Sequence, residues 1–214
     1  PTDGFIQIRI DPDHHERIFA ASQTNGIFVS DNAGDDWRPV AIDSSAVHMR
    51  TLTVLKGGRM IAGTLQSGVI LSNDGGQTWT PAAQMELIDP VLMTVIVDPH
   101  RSERIYAGTA GFGVIRSEDG GLTWKPSSNG IAHSMILALA IDPDHSDVVY
   151  AGTSQGGVYL SRDGGTTWKQ MVLGMFHRNI TSIAIDPNNS RNIFAGTEGG
   201  GVFMLRVPAG DTGQ

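Results

Sequence analysis

The apolar residues fall in short runs that recur in a fixed order along the chain. One kind of run ends in Asp-Pro: FIQIRIDP at 5–12, LMTVIVDP at 92–99, ILALAIDP at 136–143 and ITSIAIDP at 180–187. A second reads RIFAAS at 17–22, RMIAGT at 59–64, RIYAGT at 104–109, VVYAGT at 148–153 and NIFAGT at 192–197. A third opens on glycine: GIFVS at 26–30, GVILS at 68–72, GVIRS at 113–117, GVYLS at 157–161 and GVFML at 201–205. Runs rich in Val, Ile, Phe and Tyr, bounded by Gly, Asp, Asn and Pro, predict strands. A fourth strand is expected to begin at each tryptophan. No segment keeps an apolar stripe at the 3.6-residue period, so helix should be nearly absent.

The spacing of these runs sets the architecture. The chain's four tryptophans stand at 37, 79, 124 and 168, spaced 42, 45 and 44 apart. The glycines that open the third runs, Gly26, Gly68, Gly113, Gly157 and Gly201, keep the same period. A four-stranded unit of about 44 residues in tandem is the repeat of a β-propeller. The expected fold is therefore all-β, one propeller domain over 1–214. Its five blades lie near 1–41, 42–83, 84–128, 129–172 and 173–214. The last blade should have three strands, because only VPAGDTGQ follows GVFMLR at 201–206 and Pro208 cannot donate to a ladder. The ring is expected to close by side-chain packing between blades one and five; an arc of a larger ring is the alternative. All four tryptophans are expected to be buried at equivalent rim positions. The edge at 201–206 would be open to pairing with another chain.

Between the third and fourth runs lie SNDGGQTW at 72–79, SEDGGLTW at 117–124 and SRDGGTTW at 161–168. A fourth copy, SDNAGDDW at 30–37, has Asn32 for the Asp and Asp36 for the Thr. An Asp here can accept backbone N–H bonds inside its own turn. The tryptophan can fold back and pack between strands. Asp74, Asp119 and Asp163, with Trp37, Trp79, Trp124 and Trp168, are therefore read as structural. Sites repeated around a ring cannot all serve one catalytic centre. Asp11, Asp98, Asp142 and Asp186 precede Pro and read as turn formers. The glycine clusters near Gly152 and Gly196 lack the following helix and Lys-Ser/Thr of a phosphate loop.

Composition narrows the partners. The formal charge is −7, from 15 basic and 22 acidic residues, which argues against nucleic acid. There is no cysteine, hence no disulfide or thiolate metal site. No run of about 18 apolar residues exists to span a membrane. The start at Pro1 without Met and without an apolar leader points to a processed or partial chain, and an exported location, periplasmic or extracellular, is expected.

Specific chemistry is sought where the repeat breaks, in the inter-blade loops at 41–50, 81–91, 125–135 and 172–180. His48, Asp89, His133, His177 and Arg178 fall close in register there, with Arg50, Phe176, Met175, Met135 and Met85 beside them. Gln23, Asn25, Gln66, Phe112, Gln155 and Glu198, from the loops joining second and third strands, belong to the same face. Three His with an Asp have the chemistry to bind a transition metal. A solvated polar rim is the simpler reading, and no metal, cofactor or catalytic residue is assigned.

The pattern I-Y-A-G-T…G-V-x-x-S-x-D-G-G-x-T-W resembles the Asp-box, or BNR-repeat, propeller superfamily over nearly the whole chain. That group includes Ycf48-type photosystem II assembly factors, Vps10/sortilin ectodomains, sialidases and family-74 xyloglucanases. The resemblance implies the fold and leaves the activity open. The expected function is a non-catalytic scaffold binding another protein, or a glycan, through the inter-blade loop face. The alternative is a glycoside hydrolase or a lectin. The resemblance to sialidases implies a Tyr nucleophile and a Phe-Arg-Ile-Pro signature. The tetrapeptide is absent, and Tyr106, Tyr150 and Tyr159 lie inside repeated strands. A two-carboxylate glycosidase would draw on Asp43, Glu86, Asp89 and Glu198. A lectin would place aromatics at equivalent loop positions, and Phe112 and Phe176 are not equivalent.

Overall fold

The computed structural model describes residues 4–42, 48–82, 84–85, 91–132, 135–171 and 178–207. They form five antiparallel sheets in chain order. The first contains β1 (Phe5–Ile10), β2 (Ile18–Ser22), β3 (Gly26–Ser30) and β4 (Arg38–Pro39). The second contains β5 (Met49–Val54), β6 (Met60–Thr64), β7 (Val69–Ser72) and β8 (Thr80–Pro81). Next in the chain comes β9 (Gln84–Met85), then the third sheet, β10 (Leu92–Val97), β11 (Ile105–Thr109), β12 (Val114–Ser117) and β13 (Thr123–Pro126). The fourth contains β14 (Ile136–Ile141), β15 (Val149–Thr153), β16 (Val158–Ser161) and β17 (Lys169–Gln170). The fifth has β18 (Ile180–Ile185), β19 (Asn192–Thr197) and β20 (Gly201–Arg206), three strands as expected among the described residues. The short β9, not foreseen in the sequence, pairs in parallel with β13 and extends the third sheet. A single 3-10 turn at Lys56–Gly58 is the helical content among the described residues.

The second and third strands of the middle sheets are buried on both faces because those sheets are covered on both sides. In the second sheet, Leu52, Ala62 and Ile70 align across the strands and pack against Phe19, Ile27 and Val29 of the first. The opposite face, with Ile61, Val69 and Leu71, packs against Leu92, Val95, Ile105 and Ile115 of the third. Continuous apolar runs, rather than strict alternation, follow from this two-sided burial.

The step from one sheet to the next is built the same way each time. The first residue of an inner strand enters a space that a glycine leaves in the preceding sheet. A Cβ on Gly63 would lie 2.6 Å from Leu92 Cβ, one on Gly108 2.7 Å from Ile136 Cγ2, and one on Gly152 2.6 Å from Ile180 Cγ2. Polar groups fasten the same steps. Arg17 Nη2 donates to Gly75 O at 3.0 Å, and Tyr106 Oη to Gly164 O at 2.9 Å. Buried Arg104 bridges Asp98 of its own sheet (2.6 Å) and Asp147 of the next (2.7 Å). Burial pushes the Asp98 carboxyl up; bonds from Ser146, the His100 amide and Arg104 outweigh it and hold the carboxyl below its ordinary range.

Two expectations need correction. A closed ring is not seen among the described residues: the inner strands pack closely between consecutive sheets. Ile8 and Ile10 on the outward face of the first sheet are 60% and 57% exposed, and Val202 and Met204 on that of the fifth 72% and 58%. Nor are the tryptophans equally buried. Trp124 and Trp168 are buried, Trp79 is half-buried and Trp37 is 42% exposed. Each ring packs toward the sheet before its own, Trp79 in a cluster with Phe19 and Trp168 in one with Tyr106. Trp37 has no preceding sheet to meet.

Candidate functional site

One end of every sheet is tied by a recurring backbone bond. The residue after the second strand donates to the residue at the entrance of the inner strand. The pairs are Gln23 to Gly4 (3.2 Å), Leu65 to His48 (2.9 Å), Ala110 to Val91 (2.9 Å), Ser154 to Met135 (3.2 Å) and Glu198 to Asn179 (3.1 Å). Threonine hydroxyls close the same loops: Thr64, Thr109, Thr153 and Thr197 donate to Gly68, Gly113, Gly157 and Gly201 carbonyls at 2.9–3.2 Å. These bonds place the inter-blade loops and the second-to-third-strand loops on one face, as the register argument expected.

The structure brings His48 and Arg178 to this face, with Gln23, Asn25, Gln66, Phe112, Met135, Gln155 and Glu198. His48 is half-buried, and its Nδ1 has no hydrogen-bond partner among the described residues. Arg50 is half-buried within the inner strand β5, next to the loop rather than on it. Glu198 accepts a bond from Asn179 Nδ2. Asp89, His133, Phe176 and His177, with Asp43, Glu86 and Met175, lie outside the described residues. Among the described residues, no three His, Asp or Glu side chains gather as a metal site would need.

Three large apolar side chains stand exposed on this face, on consecutive sheets: Leu65, Phe112 and Met135. Sequence reasoning passed over Leu65. The signal was there, since Leu65 takes the position held by Gln23, Ala110, Ser154 and Glu198 in the other repeats.

The opposite end is locked by the S-x-D-G-G-x-T-W turns. Ser72 Oγ (2.7 Å), Thr78 Oγ1 (2.6 Å) and the amides of Gln77 and Thr78 (both 2.9 Å) all donate to the Asp74 carboxylate. The Thr78 hydroxyl and amide and the Ser72 hydroxyl pull the Asp74 pKa down to about 2. Asp119 and Asp163 repeat the arrangement with Thr123 and Thr167. For both, burial pushes the pKa up and is outweighed by the threonine and serine bonds, so they too sit low. Each tryptophan Nε1 donates to the carbonyl of the second glycine, as Trp124 does to Gly121 at 2.9 Å. The turn then bonds to the adjacent turn between first and second strands: Gly75 to Gly58, Gly120 to Glu103 and Gly164 to Asp147, at 2.8–2.9 Å. In the variant copy Asn32 Oδ1 still accepts from Ser30 and from the Asp36 amide, but the side-chain pair inverts, with Asn32 Nδ2 donating to Asp36 at 3.0 Å. Carboxylates this fully bonded, and held ionised, suit a turn and not a general acid.

The BNR/Asp-box repeat model matches residues 70–81 and 159–170, the turns around Asp74 and Asp163. These turns are Asp boxes. No curated protein matches the chain. Among solved structures, an ancestral GH74 enzyme superposes with a TM-score of 0.77 at 21% identity, over 90% of this chain and 27% of its own. Ycf48 from Cyanidioschyzon merolae gives a TM-score of 0.70 at 16% identity, over 98% of this chain and 69% of its own. Ycf48 bound to a D1 peptide gives 0.51 at 16% identity, over 90% and 76%. This chain thus spans about a quarter of the GH74 enzyme. At these identities the likeness is one of fold, the Asp-box propeller, which serves an enzyme in one neighbour and a peptide-binding protein in another.

Proposed function

We propose that this Asp-box arc is a non-catalytic scaffold that binds a protein segment on its loop face. The observation that carries the reading is the row of exposed Leu65, Phe112 and Met135 across three consecutive sheets, flanked by exposed Arg178 and Glu198. Single exposed apolar residues are ordinary. A row of them on a backbone pinned at each sheet offers a rigid surface with apolar anchors and a charged rim, the make-up of a protein contact. The carboxyls support the same side. Among the described residues, every one whose pKa moves, Asp74, Asp98, Asp119, Asp147, Asp163 and Asp186, moves down. A glycosidase acid needs the reverse. The Ycf48 structure with its D1 peptide lends the reading a precedent on the same fold.

The test is a displayed-peptide selection against the folded chain, with binders then measured on a Leu65→Asp/Phe112→Asp/Met135→Asp variant. Selected peptides should lose at least about tenfold in affinity, the equivalent of about 1.4 kcal/mol. Peptides that bind the variant equally well, or hydrolysis of xyloglucan or a fluorogenic glycoside by the wild-type chain, would count against the scaffold reading.

A further inference from the structure

The two outward faces of the arc are mates. Strand register aligns Ile8 with Leu52, Val95, Leu139 and Ile183, and Phe5 with Met49, Leu92, Ile136 and Ile180. Met49, Leu92, Ile136 and Ile180 are fully buried because each enters the sheet before it, three of them at a glycine. Phe5, the corresponding knob of the first sheet, is exposed, and so are Ile6, Ile8, Ile10 and Trp37 on the same side. The fifth sheet carries the matching socket. Gly196 stands where Gly63, Gly108 and Gly152 stand, and a Cβ on it would meet only Ser182 and Thr181 of its own sheet. Beside it, Val202 takes the place of Ile27, Val69, Val114 and Val158, all of them buried under the following sheet.

We propose that a second copy of this chain docks head to tail, its first-sheet face on the fifth-sheet face of its neighbour, with Phe5 at Gly196. The contact repeats an interface the chain already makes four times within itself, so its complementarity is built into the repeat. It is heterologous, using different patches on the two copies, and so extends into a ring or a filament instead of stopping at a symmetric pair. One fastening, made at two of the four internal steps, is missing here. Arg59 and Arg104 reach forward to Glu103 and Asp147 of the next sheet. Glu16 of an incoming copy supplies the acidic partner, but Asn192 stands in the arginine position. Asn192 bonds to Asp186 at 3.2 Å and leaves its Oδ1 buried without a partner among the described residues. The association should therefore depend on concentration and respond to Asn192→Arg, which rebuilds the Arg104–Asp98–Asp147 arrangement with Asp186 and Glu16.

Sedimentation velocity over a concentration series on wild type, Ile8→Asp, Val202→Asp and Asn192→Arg tests this. Ile8 and Val202 are exposed in the single arc, so both aspartates should leave the fold intact, which circular dichroism checks. Wild type should grow in mass with concentration. Each aspartate variant alone should stay monomeric, and an equimolar mixture of the two should give a dimer and nothing larger, because one good face of each kind remains. Asn192→Arg should lower the half-association concentration by about tenfold, as one more charge-assisted pair would. A wild-type chain that stays monomeric at its highest soluble concentration overturns the proposal. So does an Ile8→Asp or Val202→Asp chain that still self-associates, since that would mean a symmetric or unrelated contact.

Discussion

Replacing Trp124 with Ala should destabilise the arc by about 3–5 kcal/mol, the range for deleting a buried large aromatic. The ring is 2% exposed and belongs to a cluster with Ile61 and Leu71 of the second sheet and Ile105 and Ile115 of its own. Removal would open a cavity between two sheets that cannot collapse, because the Asp119 box and the pairing of β12 with β13 hold the backbone on either side. Trp37 is the internal control. It occupies the same turn and donates the same Nε1 bond, to Gly34 at 2.9 Å, but is 42% exposed for want of a preceding sheet. Trp37→Ala should cost about 1 kcal/mol or less, near the range of surface substitutions. For a chain of this size each kcal/mol moves the melting midpoint by about 2–4 °C. Trp124→Ala should then melt about 6–20 °C lower and Trp37→Ala within about 4 °C of wild type. Far-UV circular dichroism in heat and urea is the assay, since fluorescence would lose its own reporter. Urea slopes must match, because repeat arrays can unfold in parts. Equal losses for the two variants would refute the claim that each ring wedges against the sheet before it.

Asp119→Ala should cost about 1–3 kcal/mol by leaving Thr123 and Ser117 without their acceptor, and should leave peptide binding on the loop face unchanged; a folded variant that lost binding would reassign the boxes. Acid should destabilise in a defined window. The box carboxyls sit lower folded than unfolded, so their contribution is complete above the ordinary aspartate value of about 4 and is lost as pH falls through the folded values, about 2 for Asp74. Chemical melts across that window should show the loss, and an Asp74→Ala/Asp119→Ala/Asp163→Ala variant should show a flatter slope there; an unchanged slope would place the acid sensitivity elsewhere. Gly108→Ala should cost about 1–3 kcal/mol, because its Cβ would lie 2.7–2.8 Å from Ile136 and Thr94 side chains. Gly196→Ala faces no following sheet within the single arc and meets the exposed Ser182 hydroxyl, which can rotate away, so it should cost less in urea melts of dilute protein, and equal costs would contradict the knob-and-glycine account.

The sheets and boxes were legible because each is written locally and repeated, the sheets five times and the box four. Strand register follows from runs such as ILALAI, and the box from the reach of an Asp to amides three and four residues on. Closure is a different kind of property. It is a sum of angles over the whole array, and Ile8 reads in the sequence like Leu52, although one is exposed and the other buried. The same holds for Trp37 and Trp124, whose turns are alike and whose surroundings are not. On the loop face His48 and Arg178 lie beside the recurring backbone bonds, whereas Arg50 lies within the inner strand β5. Leu65 did not stand out as a site residue because it directly follows the repeated strand RMIAGT and reads as its continuation.

The two ends of the sheets divide the work of the molecule. At the box end the Ser, Asp and Thr of each full box are spent within the turn and its backbone bonds to the neighbouring turn, so substitutions there act on stability first. At the loop end the backbone is fixed by bonds that use main-chain atoms and a repeated threonine, which leaves the side chains between them free to change without loosening the scaffold. The repeat therefore permits variation at one end and penalises it at the other. That asymmetry, more than the identity of any single loop residue, is why a partner-binding role is assigned to the face bearing Leu65, Phe112 and Met135 and not to the Asp boxes. It also separates that role from the arc's outward faces, where conserving the repeat's own packing positions, Phe5, Ile8, Gly196 and Val202, makes the natural mate another face of the same design.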